Sequence, residues 1–546
     1  MGNPKLAPEL TDAQWERMLR YGVPIPAEQG DVLFKSGERW YDLILVESGA
    51  VDVVREPLKW VDETLIATLG PRTFVGELGL LNGQRAFLTA RVAEPGRMLR
   101  VDHDALVRMM AEDDELCDVM LRTLWARREE LRRGPAAWTL KIIGSGRSRD
   151  AVALRRFAER LDLVHSWIDS DDPEAADAIA SHGYAPEDFP VAIVQGEDLL
   201  RATPGELAEL MGLAYTAEDD GEVDLAVVGA GPAGLAAAIY GASEGLRTVL
   251  LDAVAPGGQS SATSRIENYL GFPFGVSGDD LTAQASLQAI KFGVRVIAPC
   301  EAVRLESTTE GLELTLSDDA VVRARAVVVT TGVAYRSLGL DRWKEFEGAG
   351  IHYAASTLEL RQVAGQEVAV VGGANSAGQA ALALAANGCH VRLVVRSTEL
   401  GSQMSSYLVD RIVDDPRIDV HTGTQVVGLH GGDTLEAITL AGAVAGTFEC
   451  RGLFCFIGAE PATDWLSEVE RDDHGFVHTG ADVITLGDPW RDLGRMPLPF
   501  ETSVPRVFAA GDVRRGSMKR VAAAVGEGSS AVASVHRALA AAEVFA

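Results

Sequence analysis

A chain of 546 residues is too long for one hydrophobic core, and at about 100 to 200 residues per domain it should divide into three or four. With 47% hydrophobic and 24% charged residues it reads as soluble and globular throughout. Its 79 acidic against 50 basic side chains give a net charge of -29, which repels phosphate backbones and anionic lipid, and so argues against nucleic acid or a membrane as partner.

The opening stretch, MGNPKLAPELTDAQWERM, lacks the apolar core of a signal peptide, so the expected location is the cytoplasm. The longest uncharged run, Leu225 to Ala242, contains Gly229, Gly231, Pro232 and Gly234, which suit a turn around a phosphate better than a membrane span. The five cysteines, Cys117, Cys300, Cys389, Cys450 and Cys455, are too few and scattered for a disulfide framework or a zinc site, and no metal is expected. Cys450 and Cys455 are nearest, but extended chain separates their Cα atoms by about 16 Å, so all five should be reduced.

From Tyr21 to about Val101, short alternating strands with glycine turns predict a small β-roll, followed by a helical stretch from Asp104 to Arg133. Within the roll, FVGELGLLNGQRAFLTARV sets a turn at Gly76, an acid at Glu77 and a cation at Arg85. This segment resembles the phosphate-binding cassette of cyclic-nucleotide-binding domains of the catabolite-activator type. The resemblance implies that Glu77 accepts from a ribose hydroxyl and that Arg85, with Gly76 and Ala86, holds a cyclic phosphate. The loop is slightly short and Phe87 stands where a small residue is usual, so a structural or dimerising module is the alternative reading. This domain is expected over residues 1–134.

After LRRGPAA, read as a linker, residues 138–214 run strand, helix, strand, helix, then strands and a last helix, an α/β order with one sheet. The segment is similar to glutaredoxin-like domains of the thioredoxin fold. Pro190 in DFPVAIV fits their cis-proline, while the turn GSGRSR, Gly144 to Arg149, has no cysteine where theirs carries one. A thiol relay through this domain is excluded, and docking or spacing is its expected role. A remnant site for an acceptor protein is the alternative.

The strand Val223 to Val228 leads into Gly229, Gly231 and Gly234, which open a helix, and Asp252 ends the next strand 23 residues after Gly229. Strand, glycines, helix and terminal acid form a dinucleotide-binding fingerprint. A second unit, EVAVVGGANSAGQAALALAANGCHVRLVVR, brings Gly372 in 143 residues later, with Gly373, Asn375, Ser376 and Ala377 keeping the turn small although Ala374 replaces a glycine. Two such units serve a flavin and a nicotinamide cofactor, and hydride transfer is the leading chemistry. Arg396 follows the second strand of the second unit and can pair with a 2'-phosphate; with no acid there to favour the free hydroxyl, NADPH is expected ahead of NADH.

Beyond these, PGGQSSATSRIENYLGFP, VVVTTG, FIGAEPATDWL and VPRVFAAGDVRRGSMKRVAAAVGEG follow in order over roughly Val223 to Ala540. Together they resemble the low-molecular-weight thioredoxin reductase family. The resemblance implies FAD held by Gly229, Gly231, Gly234, Asp252, Gly258, Gln259 and Asn268, with Gly511 and Asp512 at the ribitol chain and Arg520, Val521 and Ala522 near the ring. It implies a homodimer, and an NAD(P)H domain (337–463) inserted in an FAD domain (222–336 and 464–546). The expected fold is therefore multidomain: a β-roll with helices, a small thioredoxin-like α/β domain, then two Rossmann-like α/β domains.

GIHYAASTLEL, Gly350 to Leu360, lies where the family carries a Cys-x-x-Cys dithiol, and aligning the two puts Ala354 and Thr357 on the cysteines, around Ala355 and Ser356, and Leu358 on the proton-donating acid. Electrons would then pass from flavin directly to an acceptor. Ferredoxin, a quinone or a low-molecular-weight disulfide all remain open. His352 is a candidate proton source, a structural histidine being the alternative, and Phe545 is a candidate for stacking on the flavin, a disordered terminal aromatic being the alternative. The competing reading is a non-catalytic sensor of FAD, pyridine nucleotide and a cyclic nucleotide.

Overall fold

The computed structural model describes residues 10–57, 62–173, 179, 183–215, 221–263, 266, 268–308, 311–355, 357–402, 404–432, 434–485, 490 and 495–545. At the N-terminus two antiparallel four-stranded sheets pack into a roll, one built on Leu43–Val46 and Met98–Val101, the other on Ala50–Arg55 and Thr89–Glu94. Phe34, Leu45, Phe74 and Met98 fill its core, where Met120 from the following helix joins them.

The single helical stretch expected after the roll is two helices, α1 (His103–Glu112) and α2 (Asp114–Arg133). Asp113 separates them: its backbone is extended, and its carboxylate caps α2 through the Leu116 N–H at 3.1 Å while accepting from Arg17 Nε at 2.7 Å. The expected linker is likewise a packed element. Residues Pro135–Thr139 form a 3-10 turn whose Ala136 and Ala137 are buried, because these small side chains fit between the two domains. Phe87 and Leu88 of the roll share one apolar core with Leu140, Ile142 and Phe157 of the middle domain, so the two are held in direct contact.

The middle domain has one sheet in the order Ser166–Asp169, Leu140–Gly144, Val191–Val194, Glu197–Leu199, the first pair parallel and the rest antiparallel. With the Phe189–Pro190 bond cis, this is the topology that the glutaredoxin-like resemblance implies. Helix α3 (Arg149–Arg160) buries Ala151, Leu154, Phe157 and Ala158. Its opposite stripe, Arg149, Val152, Ala153, Arg156 and Arg160, recurs at helical spacing and faces the C-terminal half.

There, a parallel core runs Arg295–Ile297, Thr248–Leu251, Glu222–Val228, Val321–Val329, with Val507–Ala509 beside the last. The inner halves of its strands, Leu225–Val228, Thr248–Leu251 and Ala326–Val329, are buried on both faces, one of them covered by helices α4 (Pro232–Ser243) and α6 (Val521–Phe545). A second parallel sheet, ordered Ile351–His352, Gly452–Cys455, Glu367–Val371, His390–Val395, Ile418–Thr422, carries α5 (Asn375–Ala386). This sheet is interposed in the first, and the two crossing chains pair antiparallel as Val333–Tyr335 with Ala459–Pro461. No described helix is long and apolar enough to cross a membrane.

Candidate functional site

The carboxyl ends of the first parallel sheet open into a cleft of about 1060 Å³, near the upper end of the range for small-molecule sites. Its floor is the glycine turn. Gly229 has φ +104°, and a Cβ there would lie 2.5 Å from the Thr330 carbonyl oxygen, so only glycine fits. Gly231 precedes Pro232, and α4 begins with no side-chain cap, leaving its first N–H groups to serve an anion. Gly234 does not reach the cleft; it lets α4 lie against the strand, since a Cβ would meet the Gly229 oxygen at 1.7 Å.

Asp252 holds this turn in shape. One oxygen accepts from the Ala230 N–H at 2.7 Å, the other from Val254 and Ala255, both at 2.9 Å. Burial pushes its carboxyl up while these three N–H groups oppose the shift. A carboxylate offers about four acceptor sites, so one is left for a ribose hydroxyl. Gly258 and Gln259 line the same cleft, as do Gly511, Asp512, Arg520 and Val521 at the start of α6. Burial raises the Asp512 carboxyl and, with Asp512 as neighbour, the Tyr335 phenol, to about 12. Two expected residues fall elsewhere: Asn268 is exposed and outside the lining, and Ala522, one step along α6, turns its methyl group to solvent.

The second glycine turn meets the cleft through Ser376 alone. Gly372 closes on the Phe456 carbonyl, where a Cβ would lie at 2.5 Å, Gly373 borders Val395, and Ala377 is buried in the core of its own domain. The Asn375 side chain is not turned to a ligand: its oxygen accepts the Ser405 N–H at 2.8 Å and so fixes the neighbouring loop. Arg396 is exposed just past the end of His390–Val395, the strand that pairs in parallel with Glu367–Val371 before the glycine turn.

Ala354, which the resemblance aligns with a cysteine, lines the cleft. Ser356 lies outside the described residues, as do the side chains of Thr357, Leu358 and Phe545. His352 also lines the cleft, packed at 5.0 Å from the Phe454 ring. Burial drives its imidazole down to about 4, so at neutral pH it is uncharged and cannot act as a cationic acid. All five cysteines are free, and burial raises every thiol, Cys117 and Cys455 to about 11, Cys300 and Cys450 to about 12. None is a thiolate at neutral pH.

Sequence reasoning missed the third wall. Helix α3 of the middle domain contributes Arg149, Val152, Ala153, Arg155, Arg156 and Arg160. The cysteine-free turn at its N-terminus docks beside the segment that lacks the dithiol: Gln362 Nε2 donates to the Gly146 carbonyl at 3.2 Å, Arg149 to the Lys344 carbonyl at 3.4 Å, and Arg156 pairs with Glu359. Arginines at i, i+7 and i+11 on one helix face were the signal that could have marked this surface. Seven basic and six acidic side chains line the cleft, against 50 and 79 in the chain, so it is locally close to neutral and able to take anionic cofactors. Also unforeseen was the stack of Tyr335 on Tyr353, centroids 5.2 Å apart and planes within 4°, which joins the two dinucleotide folds.

The cassette in the roll corrects its expectation. Glu77 is buried and its carboxylate accepts from the Arg128 guanidinium and from the Gly79 N–H at 2.7 Å, so an internal ion pair engages the acid expected to meet a ribose hydroxyl. Arg127 donates to the Gly76 carbonyl at 3.0 Å. Arg85 and Ala86 are covered by the middle domain, through the Arg85 N–H on the Met211 carbonyl at 2.9 Å and Gln195 Nε2 on the Ala86 carbonyl at 2.9 Å. Between Arg85, Phe87, Val194 and Met211 only about 10 Å³ remains, room for about one water.

Two interlocked dinucleotide folds sharing one cleft define a pyridine-nucleotide oxidoreductase. Residues 223–528 match the pyridine nucleotide-disulphide oxidoreductase family, and the chain belongs to it; residues 24–113 match the cyclic nucleotide-binding domain. The chain is 32% identical over 320 residues to a thioredoxin reductase of Streptomyces clavuligerus, covering 58% of this chain and 93% of that one. It is 29% identical to an NADH dehydrogenase of Ferdinandcohnia aciditolerans across 68% of both chains, a share larger than residues 223–546 alone supply. The crystal structure of T. acidophilum thioredoxin reductase superposes with TM-score 0.50 and 26% identity, covering 60% of this chain and 99% of that one.

Proposed function

We propose that the protein is an FAD-dependent NAD(P)H:acceptor oxidoreductase that passes electrons from flavin to acceptor with no dithiol of its own. The observation that carries this reading is the cleft reached by the first glycine turn, by Ser376 of the second and by Ala354, with no cysteine in its lining. FAD, when bound, supplies an acceptor for a nicotinamide hydride and a donor of electrons singly or in pairs. The chain's own part is to bind and orient. Backbone N–H groups at Gly231 and α4 receive phosphate, Asp252 and Asp512 accept from hydroxyls, and Arg396 meets a 2'-phosphate, which favours NADPH over NADH. The disulfide is absent as an intermediate carrier, so the acceptor must reach the cleft itself; the candidates are ferredoxin, a quinone or a small disulfide.

Mixing the FAD-loaded protein with NADPH or NADH under anaerobic conditions, and following the flavin absorbance, tests the proposal. Bleaching within milliseconds to seconds supports an enzyme; no bleaching with either nucleotide overturns it. One observation favours the second reading, a sensor that reports cofactor state without turnover: the contacts of Arg156 and Gln362 tie the nicotinamide fold to the middle domain. The same experiment separates the two.

Cyclic-nucleotide control belongs to the proposal. The middle domain covers the cassette and walls the cleft, so a ligand that favours an uncovered cassette would also shift α3. Turnover with and without cyclic AMP tests this, and an unchanged rate with nucleotide bound removes it. Residence in the cytoplasm and a homodimer complete the proposed picture.

A further inference from the structure

The stripe of α3 ends on Arg160, and this side chain has a setting that an ordinary surface arginine lacks. It lines the cleft beside Asp252 and Asp279 and is half-buried there, which pulls its affinity for a proton down. Yet no hydrogen bond or ion pair to it occurs among the described residues. The Asp252 and Asp279 carboxylates attract the guanidinium through space, but neither accepts a hydrogen bond from it, and Asp252 already accepts three backbone N–H groups. Arg156, one turn back, is committed to Glu359. A position in the last turn of a helix favours a positive charge, but it does not turn five N–H donors into a cleft. Planar donors kept free beside the acid that ends the second strand match one chemistry, the pyrophosphate oxygens beside a dinucleotide's adenosine half.

We infer that Arg160 completes the FAD site by pairing with the pyrophosphate beside the adenosine half, so that the fused middle domain holds part of the cofactor. The inference rests on the FAD reading proposed above. On this reading the cysteine-free domain still serves the flavin site, closing it with a helix although it has no thiol to offer. It also means that lifting the middle domain weakens FAD retention.

The test uses full-length apoprotein, titrated with FAD by flavin fluorescence, for the wild type, Arg160→Ala and Arg160→Lys. We expect Arg160→Ala to raise the Kd for FAD about tenfold or more, with Arg160→Lys between it and the wild type and the thermal midpoint of the apoprotein unchanged. A Kd for Arg160→Ala within about twofold of wild type overturns the inference. So does equal weakening in both variants with a lowered apoprotein midpoint, which marks a structural role. A wild type that takes up no FAD sinks the proposed function itself, whereas wild-type uptake with no effect of Arg160→Ala sinks only this inference.

Discussion

Of the nucleotide motifs written into this chain, two are treated differently by the structure. The glycine turn at Gly229 opens on about 1060 Å³, while the gap between Arg85 at the end of the cassette and Met211 of the middle domain is about 10 Å³. The local backbone is equally well specified in both. What differs is the company: Arg128 from α2 enters the cassette as an internal ligand for Glu77, and the middle domain seals Arg85 beneath Met211. At the flavin cleft the same domain contributes a wall and leaves the floor open. A motif therefore fixes how a loop is shaped, and the packing of a distant element decides whether a ligand can enter.

The comparison can be broken most severely at the open site. Gly229→Val places a side chain on the Thr330 carbonyl at a backbone angle that valine avoids, and we expect purified protein with essentially no flavin absorbance. At the closed site, Arg128→Ala leaves a buried carboxylate unpaired and should cost about 3–5 kcal/mol in urea unfolding. The double variant Glu77→Gln with Arg128→Met should recover most of that loss. Both outcomes follow from an internal ion pair filling the cassette; a neutral Arg128→Ala would show that the pair contributes nothing.

His352 sharpens the contrast through pH. Its folded value, about 4, lies below the 6.5 of an unfolded histidine, so the unfolded chain binds the proton more readily. Stability from this residue is fully present above pH 6.5 and is lost as pH falls toward 4, by roughly 2 kcal/mol at pH 5. The variant His352→Asn should flatten this part of the unfolding profile between pH 7 and pH 5. The smallest effect is expected at the exposed Arg396, where Arg396→Ala should raise the KM for NADPH about tenfold and leave that for NADH unchanged. Equal change for both nucleotides would remove the assignment of the 2'-phosphate to this residue.

Much of the fold was legible because its determinants are local. Gly229, Gly231 and Gly234 sit in one turn, the alternating strands of the roll lie within a hundred residues, and Pro190 marks a single bond. The missed features depend on residues far apart in sequence. Asp113 reads as one more helical acid until Arg17 is brought to it. Ala136 and Ala137 look like a linker until Phe87 packs nearby. Asn375 sits in a cofactor turn by spacing, yet its oxygen serves Ser405. Asn268 and Ala522, carried over by alignment, stand outside the cleft because alignment fixes position along the chain and leaves side-chain direction undetermined. The absence of a dithiol was plain at Ala354, but only the fold shows the cysteine-free turn at Gly146 docked against Gln362.

The most direct test of electron transfer without protein thiols is steady-state NADPH oxidation by the FAD-loaded protein, before and after exhaustive alkylation of its cysteines, with a quinone and with thioredoxin as acceptors. The account predicts quinone turnover that alkylation leaves unchanged and no comparable turnover of thioredoxin. Thioredoxin turnover at the rate of a dithiol reductase, abolished by alkylating this protein, would contradict it.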